Sequence, residues 1–438
     1  MSQSLTAKPS RALSGRAKAP GDKSISHRAL ILGALATGRT RVEGLLEAED
    51  VLATARAVKA LGAEISRANG AIEVVGQGVG GLQAPKATLD FGNSGTGTRL
   101  MFGVAAGHDW QARFTGDASL QRRPMARVLT PLERMGLSVT GDAKATLPLT
   151  VRGTRDLIPI RYETPVASAQ VKSAILLAGL HAPGRTTVVE PAPSRDHTER
   201  LLAYLGAEVS VEDDAGGARA VSVRGDAELK GATIKIPGDP SSAAFLAAAA
   251  LIVPGSDIVL EGVLMNPTRI GFFDTVKEMG GAIELLDLRQ EGGEPVGDLR
   301  VCASSLQGAT VPASRAPSMI DEYPILAVVA AFAQGETRMQ GLAELRVKES
   351  DRLAATAAGL EACGVEVAIE GDDLIVSGKG RMQGGGVVET HMDHRIAMAF
   401  LVAGLGASRP VTVDDTSMIA TSFPDFAELM ARLGAEFS

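Results

Sequence analysis

Six stretches of small and apolar residues without a polar stripe recur along the chain, at 29–36, 100–106, 175–179, 243–253, 325–333 and 396–404. Sequence that is apolar all round reads as helix covered on every side. Each stretch follows a small or polar segment, beginning near Ser24, Asn93, Ser168, Ser241, Ile320 and Met392. After each comes helix-type sequence that stops at an apolar residue and a glycine. These pairs are Leu61-Gly62, Met135-Gly136, Leu205-Gly206, Met279-Gly280, Cys363-Gly364 and Leu433-Gly434, with glycines 70 to 84 residues apart. Glycine just past a helix supplies a left-handed C-cap, because it has no Cβ to clash. β-like sequence follows the first five stops at once (Glu64-Ile65, Ser138-Val139, Glu208-Val209, Ala282-Ile283, Glu366-Val367). A second short strand comes soon after, at 72–75, 147–151, 221–223, 299–301 and 374–376. Each unit therefore reads as strand, buried helix, strand, amphipathic helix, glycine stop and hairpin. Six such βαβαββ modules predict an α/β protein built of α+β repeats.

The modules fall into two halves. Leu13-Ser14-Gly15 leading to Pro20-Gly21-Asp22-Lys23-Ser24 is matched by Leu229-Lys230-Gly231 leading to Pro237-Gly238-Asp239-Pro240-Ser241, 217 residues later. That offset is almost three modules. The sixth module ends at Ser438 without its hairpin, so a strand near 13–19 is expected to complete it. The pattern predicts two domains of three modules: a discontinuous one, 1–21 with 237–438, and an inserted one, 22–236. Crossings near Gly21 and Gly238 would form a hinge, and a cleft between domains is the default place for a small-molecule site.

Composition narrows the function. With 44 Lys plus Arg against 51 Asp plus Glu, the net charge of −7 argues against a phosphate-backbone binder. Aromatic residues at 3% provide no base-stacking platform, so no nucleic-acid partner is expected. Cys302 and Cys363 cannot make a disulfide framework or a four-cysteine zinc site. The longest apolar run, 243–253, is too short to span a bilayer, so no membrane partner is expected. Residues 1–21 are basic and acid-free, but they lack a secretory apolar core and the repeat claims their second half; the chain reads as cytoplasmic.

The six buried helices all begin at residues that can cap: Ser24 and Ser26, Asn93, Ser168, Ser241, Asp321 and Asp393. A helix N-terminus carries unpaired N–H groups and about half a positive charge, which suits phosphate or carboxylate. Any one of them alone is simply a capped helix. Cations cluster at these starts, however: Lys23 and Arg28, Arg123, Arg195, Lys348, Arg352 and Arg395. Lys348 and Arg352, four apart, are expected on one helix face. Arginine offers a bidentate fork to an anion and lysine a point charge. Asp321 and Glu349 stand among these cations, where they serve as cap and ion pair or as proton acceptors and donors. Other motifs lead nowhere. Residues 76–81 fit G-x-G-x-x-G, but no helix follows; 93–99 is glycine-rich without the P-loop lysine. His391, Asp393 and His394 lack a further ligand cluster and read as capping, so no metal is expected. Cys302 in a strand and Cys363 at a helix end read as structural.

The motifs PGDKSISHR (20–28), GNSGTGTR (92–99), Arg123-Pro124-Met125, Ser168-Ala169-Gln170, RVKESDR (346–352) and DHRIAM (393–398) together resemble the 5-enolpyruvylshikimate-3-phosphate synthase family over essentially the whole chain. RDHTE (195–199) and ATSFPDF (420–426) are similar to its second bacterial class, which includes glyphosate-tolerant members. The resemblance implies the enolpyruvyl transferase fold, an inside-out α/β barrel of two domains with three βαβαββ units each. It implies transfer of the enolpyruvyl group of phosphoenolpyruvate to the 5-hydroxyl of shikimate 3-phosphate, with phosphate released and no cofactor, and glyphosate as an inhibitor. Carried over by position, Lys23, Gly95, Arg123, Gln170, Lys348, Arg352 and Arg395 hold phosphoenolpyruvate. Lys23, Ser24, Arg28, Ser168, Ala169, Gln170, Arg195, Asp321 and Lys348 hold shikimate 3-phosphate. Glu349 is then the proton donor and acceptor at C3, Asp321 the base at the 5-hydroxyl, and Lys23 a charge stabiliser and proton carrier. The inserted domain takes the shikimate 3-phosphate side and the discontinuous one the phosphoenolpyruvate side. The family implies a monomer. Thr421 stands where many relatives have lysine, Glu344 where an asparagine is frequent, and Gly95 matches inhibitor-sensitive members; glyphosate sensitivity stays open. The sister transferase acting on UDP-N-acetylglucosamine uses a loop cysteine, and neither cysteine here lies in such a loop. A non-catalytic anion-binding protein of this architecture is the remaining alternative.

Overall fold

The computed structural model describes residues 3–140, 145–213 and 216–438. It contains six four-stranded mixed sheets, one for each module. The chain divides into two compact units: Met1–Pro20 with Pro237–Gln290 and Pro295–Ser438, and Gly21–Ile236 with Glu291–Glu294. Residues 291–294, the tip of the hairpin formed by Ala282–Glu291 and Glu294–Cys302, group with the second unit; the sequence pattern carries no sign of this.

In every module a lead strand runs parallel to the strand after the buried helix, and in the first five a hairpin closes the sheet. In the Gly21–Ile236 unit, Leu89–Asp90 pairs parallel with Gln111–Thr115, which pairs antiparallel with Leu149–Arg152. Arg161–Glu163, Arg185–Glu190 and Arg219–Arg224 repeat the arrangement. The first module takes its lead strand, Thr233–Lys235, from the far end of the unit. The other unit also closes on itself, but differently from expectation. Ser14–Ala17 does not complete the sixth module; it lies parallel to Asp257–Leu264 as the lead strand of the fourth. The sixth sheet is completed by Leu5–Lys8, paired antiparallel with Val411–Val413 and with Glu436–Phe437. Long-range pairing decides this: Ala7 is fully buried where Leu5–Lys8 pairs with Val411–Val413, and Ser14–Ala17, exposed at Ser14 to Arg16, finds its partner in Asp257–Leu264.

Six buried helices form the cores: Lys23–Leu35, Gly95–Ala106, Ala169–Gly179, Pro240–Ile252, Tyr323–Ala331 and His394–Gly406. Every residue of Pro240–Ile252 is buried. The last three helices pack against one another. Gly95–Ala106 packs on Ala169–Gly179 so closely that a Cβ on Gly103 would sit 2.2 Å from the carbonyl oxygen of Ala174, so only glycine fits. Burying a Leu or Ile here contributes about 1.5–3 kcal/mol. All six stop glycines have positive φ, from +78° at Gly364 to +120° at Gly136. Glycine accepts this region freely, so the stop pairs do end helices. Among the described residues no helix is long and apolar enough to cross a membrane.

The helix starts show how sequence competition resolves. Asp22, not Ser24 or Ser26, caps the first buried helix, accepting the Ile25 N–H at 2.7 Å. Ser94, not Asn93, caps the second. Ser168 and Asp393 cap as expected. Asp239, not Ser241, caps the fourth, because Pro240 has no N–H and a fixed φ and therefore takes the first helical position. The N-cap position of the fifth is Glu322, not Asp321, which lies in the 3-10 turn Ile320–Glu322 before Tyr323–Ala331. Lys348 and Arg352 do not share a helix. Asp351 accepts the Ala354 N–H at 3.0 Å and starts a helix at Arg352, leaving Lys348 just past the 3-10 turn Ala343–Val347.

Candidate active site

The expected site residues form a cluster in each unit. In the Gly21–Ile236 unit, Lys23 opens the first buried helix and its Nζ lies 2.9 Å from Asp50 Oδ2. Ser24 and Arg28 follow on that helix. Arg28 is 3% exposed; its Nε donates to Thr198 Oγ1 at 2.7 Å, Nη2 to Ser173 Oγ at 2.8 Å and Nη1 to the Ser24 carbonyl at 2.9 Å. Burial pushes its pKa down to about 10, which leaves it charged at neutral pH. Next to it, burial, with Lys23 and Arg28 adding, pushes His27 down to about 3. That imidazole is neutral at physiological pH and hydrogen-bonds Thr54 at 2.8 Å.

The second and third buried helices bring Gly95, Arg99 and Gln170 together. Arg99 Nη1 donates to Gln170 Oε1 at 2.9 Å, and Gln170 Nε2 donates to Thr96 Oγ1 at 3.0 Å. Both ends of the Gln170 amide are thereby fixed. Arg123 Nη2 donates to Asn93 Oδ1 at 2.7 Å. A Cβ built on Gly95 would stand 3.0 Å from Arg99 Nη1 and 3.2 Å from Arg123 Nη1, so two guanidinium groups converge on this helix start. Ser168 caps the helix carrying Ala169 and Gln170, and Arg195 sits just before the helix His197–Tyr204, half-buried like Ser168, Ala169 and Gln170.

In the other unit three carboxylates surround one guanidinium. Arg352 is 1% exposed. Its Nε donates to Asp393 Oδ2 at 2.8 Å and Nη1 to Asp321 Oδ1 at 3.1 Å, and Nη2 lies 2.5 Å from Glu349 Oε2. Lys348 Nζ is 3.5 Å from the same Asp321 oxygen. Arg395 Nη1 donates to the Asp321 carbonyl at 3.3 Å and lies 3.7 Å from Glu322 Oε1. Burial alone would lower the Arg352 pKa and raise that of Asp393. Their mutual attraction wins, so Arg352 is held above and Asp393 below its ordinary value. Lys348, Arg352 and Arg395 therefore meet at Asp321, and Glu349 reaches the same group through Arg352. Glu349 also lines an open cleft with Ser350, Asp351 and His391.

Sequence reasoning missed several partners. Arg99 ends GNSGTGTR, a motif that carries the resemblance but assigns this residue no role. Asp50 belongs to the next helix, Glu49–Ala60, and carries no spacing signal. Among the described residues His391 and His394 join no metal-ligating group. The described residues do gather Asp196, His197 and Glu294 within 4.8 Å. There Arg200 Nε already lies 2.8 Å from Asp196 and 3.5 Å from Glu294, and His197 Nδ1 lies 2.7 Å from Glu294, so a side-chain cation fills the place of an ion. Cys363 is buried at a helix end, where burial pushes its thiol up to about 11, and Cys302 ends a strand.

Residues 7–430 match the family model for EPSP synthase (3-phosphoshikimate 1-carboxyvinyltransferase). The chain is 62% identical over 438 residues to a 3-phosphoshikimate 1-carboxyvinyltransferase of Methylorubrum extorquens, covering 99% of this chain and 97% of that one. It is 60% identical over 436 residues to the protein of the same name from Parvibaculum lavamentivorans, with the same coverage. The structure superposes on an EPSP synthase from Acinetobacter baumannii with a TM-score of 0.89 and 44% identity over the whole of both chains. Six βαβαββ modules, two cation-rich clusters and full-length similarity agree: the chain belongs to the EPSP synthase family.

Proposed function

We propose that the protein transfers the enolpyruvyl group of phosphoenolpyruvate to the 5-hydroxyl of shikimate 3-phosphate, in the pathway to the aromatic amino acids. The observation that carries this is the Asp321–Lys348–Glu349–Arg352 group, which holds two carboxylates of different surroundings on shared cations. The chemistry needs both. The 5-hydroxyl oxygen attacks C2 of the enol while C3 takes up a proton. The hydroxyl proton passes to Asp321 and Glu349 supplies the one at C3. The product of this addition is a tetrahedral ketal phosphate. Return of a C3 proton to Glu349 re-forms the double bond as the C2–O bond to phosphate breaks, and the proton taken up by Asp321 passes to the departing phosphate, which restores both carboxyl groups.

Charge supports this order. Lys348, Arg352 and Arg395 face Asp321, Glu322, Glu349 and Asp393, one negative charge in excess. A trianionic substrate enters more readily when one of these carboxylates carries a proton, and the enol carbon needs that proton. Phosphoenolpyruvate is held by Lys23, Gly95, Arg123, Gln170, Lys348, Arg352 and Arg395. Shikimate 3-phosphate is held by Lys23, Ser24, Arg28, Ser168, Ala169, Gln170, Arg195, Asp321 and Lys348. In this reading every acid, base and anion-binding group is a side chain or helix start, and the enzyme works as a cytoplasmic monomer. The test is phosphate release from phosphoenolpyruvate. Release that requires shikimate 3-phosphate is expected; release that answers to UDP-N-acetylglucosamine instead would point to the sister transferase.

Glyphosate occupies the phosphoenolpyruvate position in this reading and makes Gly95 a sensitive point. An alanine methyl there presses on Arg99 and Arg123. Phosphoenolpyruvate joins its phosphate and carboxylate carbon by a shorter bridge than the CH2–NH–CH2 of glyphosate, so the longer anion has less room to give. Gly95→Ala is expected to raise the glyphosate inhibition constant about tenfold or more, and the KM for phosphoenolpyruvate by clearly less. Equal rises in the two constants would contradict it.

A further inference from the structure

Glu190 ends the strand Arg185–Glu190 and is wholly buried, as is Lys172 on the third buried helix. Glu190 Oε1 accepts from the Ser168 backbone N–H at 3.2 Å and from Ser194 Oγ at 2.5 Å. Its other oxygen, Oε2, accepts from Lys172 Nζ at 2.7 Å. Lys172 also lies 2.8 Å from Glu199 Oε1 and donates to the Ser194 carbonyl at 3.4 Å. Burial opposes the charge on Lys172, but Glu199 and Glu190 more than offset it and hold its pKa above the ordinary lysine value. A carboxylate taken wholly out of water is costly and persists only with a full set of partners.

What it holds gives it a role. Ser168 is the cap of the helix carrying Ala169 and Gln170, and Ser194 immediately precedes Arg195. Glu190 thus joins two segments, 26 residues apart in sequence, that carry four of the residues proposed above for shikimate 3-phosphate. On that reading of the site, we propose that Glu190 is a positioning residue. Without touching substrate, it sets the spacing between Ser168–Gln170 and Arg195, while Lys172 anchors its other oxygen.

Glu190→Gln tests this because a neutral amide cannot serve all three partners. Its NH2 must face either the Lys172 ammonium or the Ser168 N–H, and both are donors. The expected result is a KM for shikimate 3-phosphate raised about tenfold, in line with the loss of one charge-assisted hydrogen bond. The turnover with both substrates saturating should stay within about twofold, and the KM for phosphoenolpyruvate, which is reached through Gln170 alone, should rise clearly less than that for shikimate 3-phosphate. Calorimetric titration with shikimate 3-phosphate alone should show the same loss of affinity. An unchanged KM for shikimate 3-phosphate, or a fall in turnover alone, overturns the assignment. If Glu190→Gln does not fold, Ser194→Ala decides, since it removes one tether and leaves the charges: a selective rise of about threefold supports the role and no change overturns it. Wild-type protein in the same assay separates the two readings, because wild type without shikimate 3-phosphate-dependent release sinks the function itself. An active wild type with a normal Glu190→Gln variant sinks only the positioning role.

Discussion

Glu349→Gln is expected to lower turnover by about two to four orders of magnitude, the usual range for removing a general acid or base. Glutamine keeps the volume of the side chain and an oxygen that can still face Arg352, now 2.5 Å from the carboxylate. It has no acidic proton to give to C3 and cannot take one back. Asp321→Asn should lower turnover by a similar factor, because the 5-hydroxyl loses its base. It should also raise the KM for phosphoenolpyruvate, since Lys348 and Arg352 both rest on Asp321. The double variant should be little worse than the poorer single one, because the two groups act in the same addition. Stopped-time phosphate release at saturating substrates measures all three. If both single variants kept near-normal turnover, the acid and base assignments would be wrong.

Arg352→Met has the largest expected effect on the fold. It leaves Asp393, Asp321 and Glu349 around an apolar chain, and breaking a buried ion pair by removing one partner costs about 3–5 kcal/mol. The acid limb of stability gives a sharper signature. In the wild type Asp393 has a folded pKa below its unfolded value of about 3.9. Its contribution is therefore complete above about pH 4 and is lost as pH falls through the lower folded value. Without Arg352, burial dominates and lifts the Asp393 pKa above 3.9, so acidification from neutral pH should relieve part of the destabilisation. Urea midpoints between pH 7 and pH 4 should converge for the two proteins as pH falls. Parallel profiles would show that Arg352 is not the group that holds Asp393 ionised.

The repeat could be read from sequence because its marks are local. A glycine after a helix and an apolar run without a polar stripe each carry their reason within a few residues, so Gly62 through Gly434 and the buried helices emerged in place. The errors arise where two nearby residues compete for one role. Asp22 against Ser24, and Asp239 against Ser241, are equally good oxygens on paper, and only the helix register chooses. Leu5–Lys8 and Ser14–Ala17 are both short β-like segments, and long-range pairing with Val411–Val413 or Asp257–Leu264 sorts them. Spacing alone puts Lys348 on one helix with Arg352, whereas Asp351 is a cap that starts the helix only at Arg352.

For the site, the cations at the buried helix starts stood out because charge beside uniformly apolar sequence is costly without a purpose. Their partners did not stand out. Asp50 reaches Lys23 from 27 residues away, Gln170 reaches Arg99 from 71, and Asp393 reaches Arg352 from 41. The separations of 27 and 41 residues match no period, and the 71 residues between Arg99 and Gln170 are one module, which relates their helices but not their side chains. Glu190 was invisible for the same reason, since its side chain is defined by Ser168, Lys172 and Ser194 rather than by neighbours in its strand.

The most direct measurement is the reaction run in heavy water, with the product examined by proton and deuterium resonance. Addition makes C3 a methyl group before elimination restores the double bond, so deuterium must enter the C3 position of the enolpyruvyl ether formed on shikimate 3-phosphate. Product that carries deuterium at C3, with one phosphate released per product, is the predicted result. Product formed with C3 free of deuterium would contradict protonation of the enol carbon, and the acid–base pair described here with it.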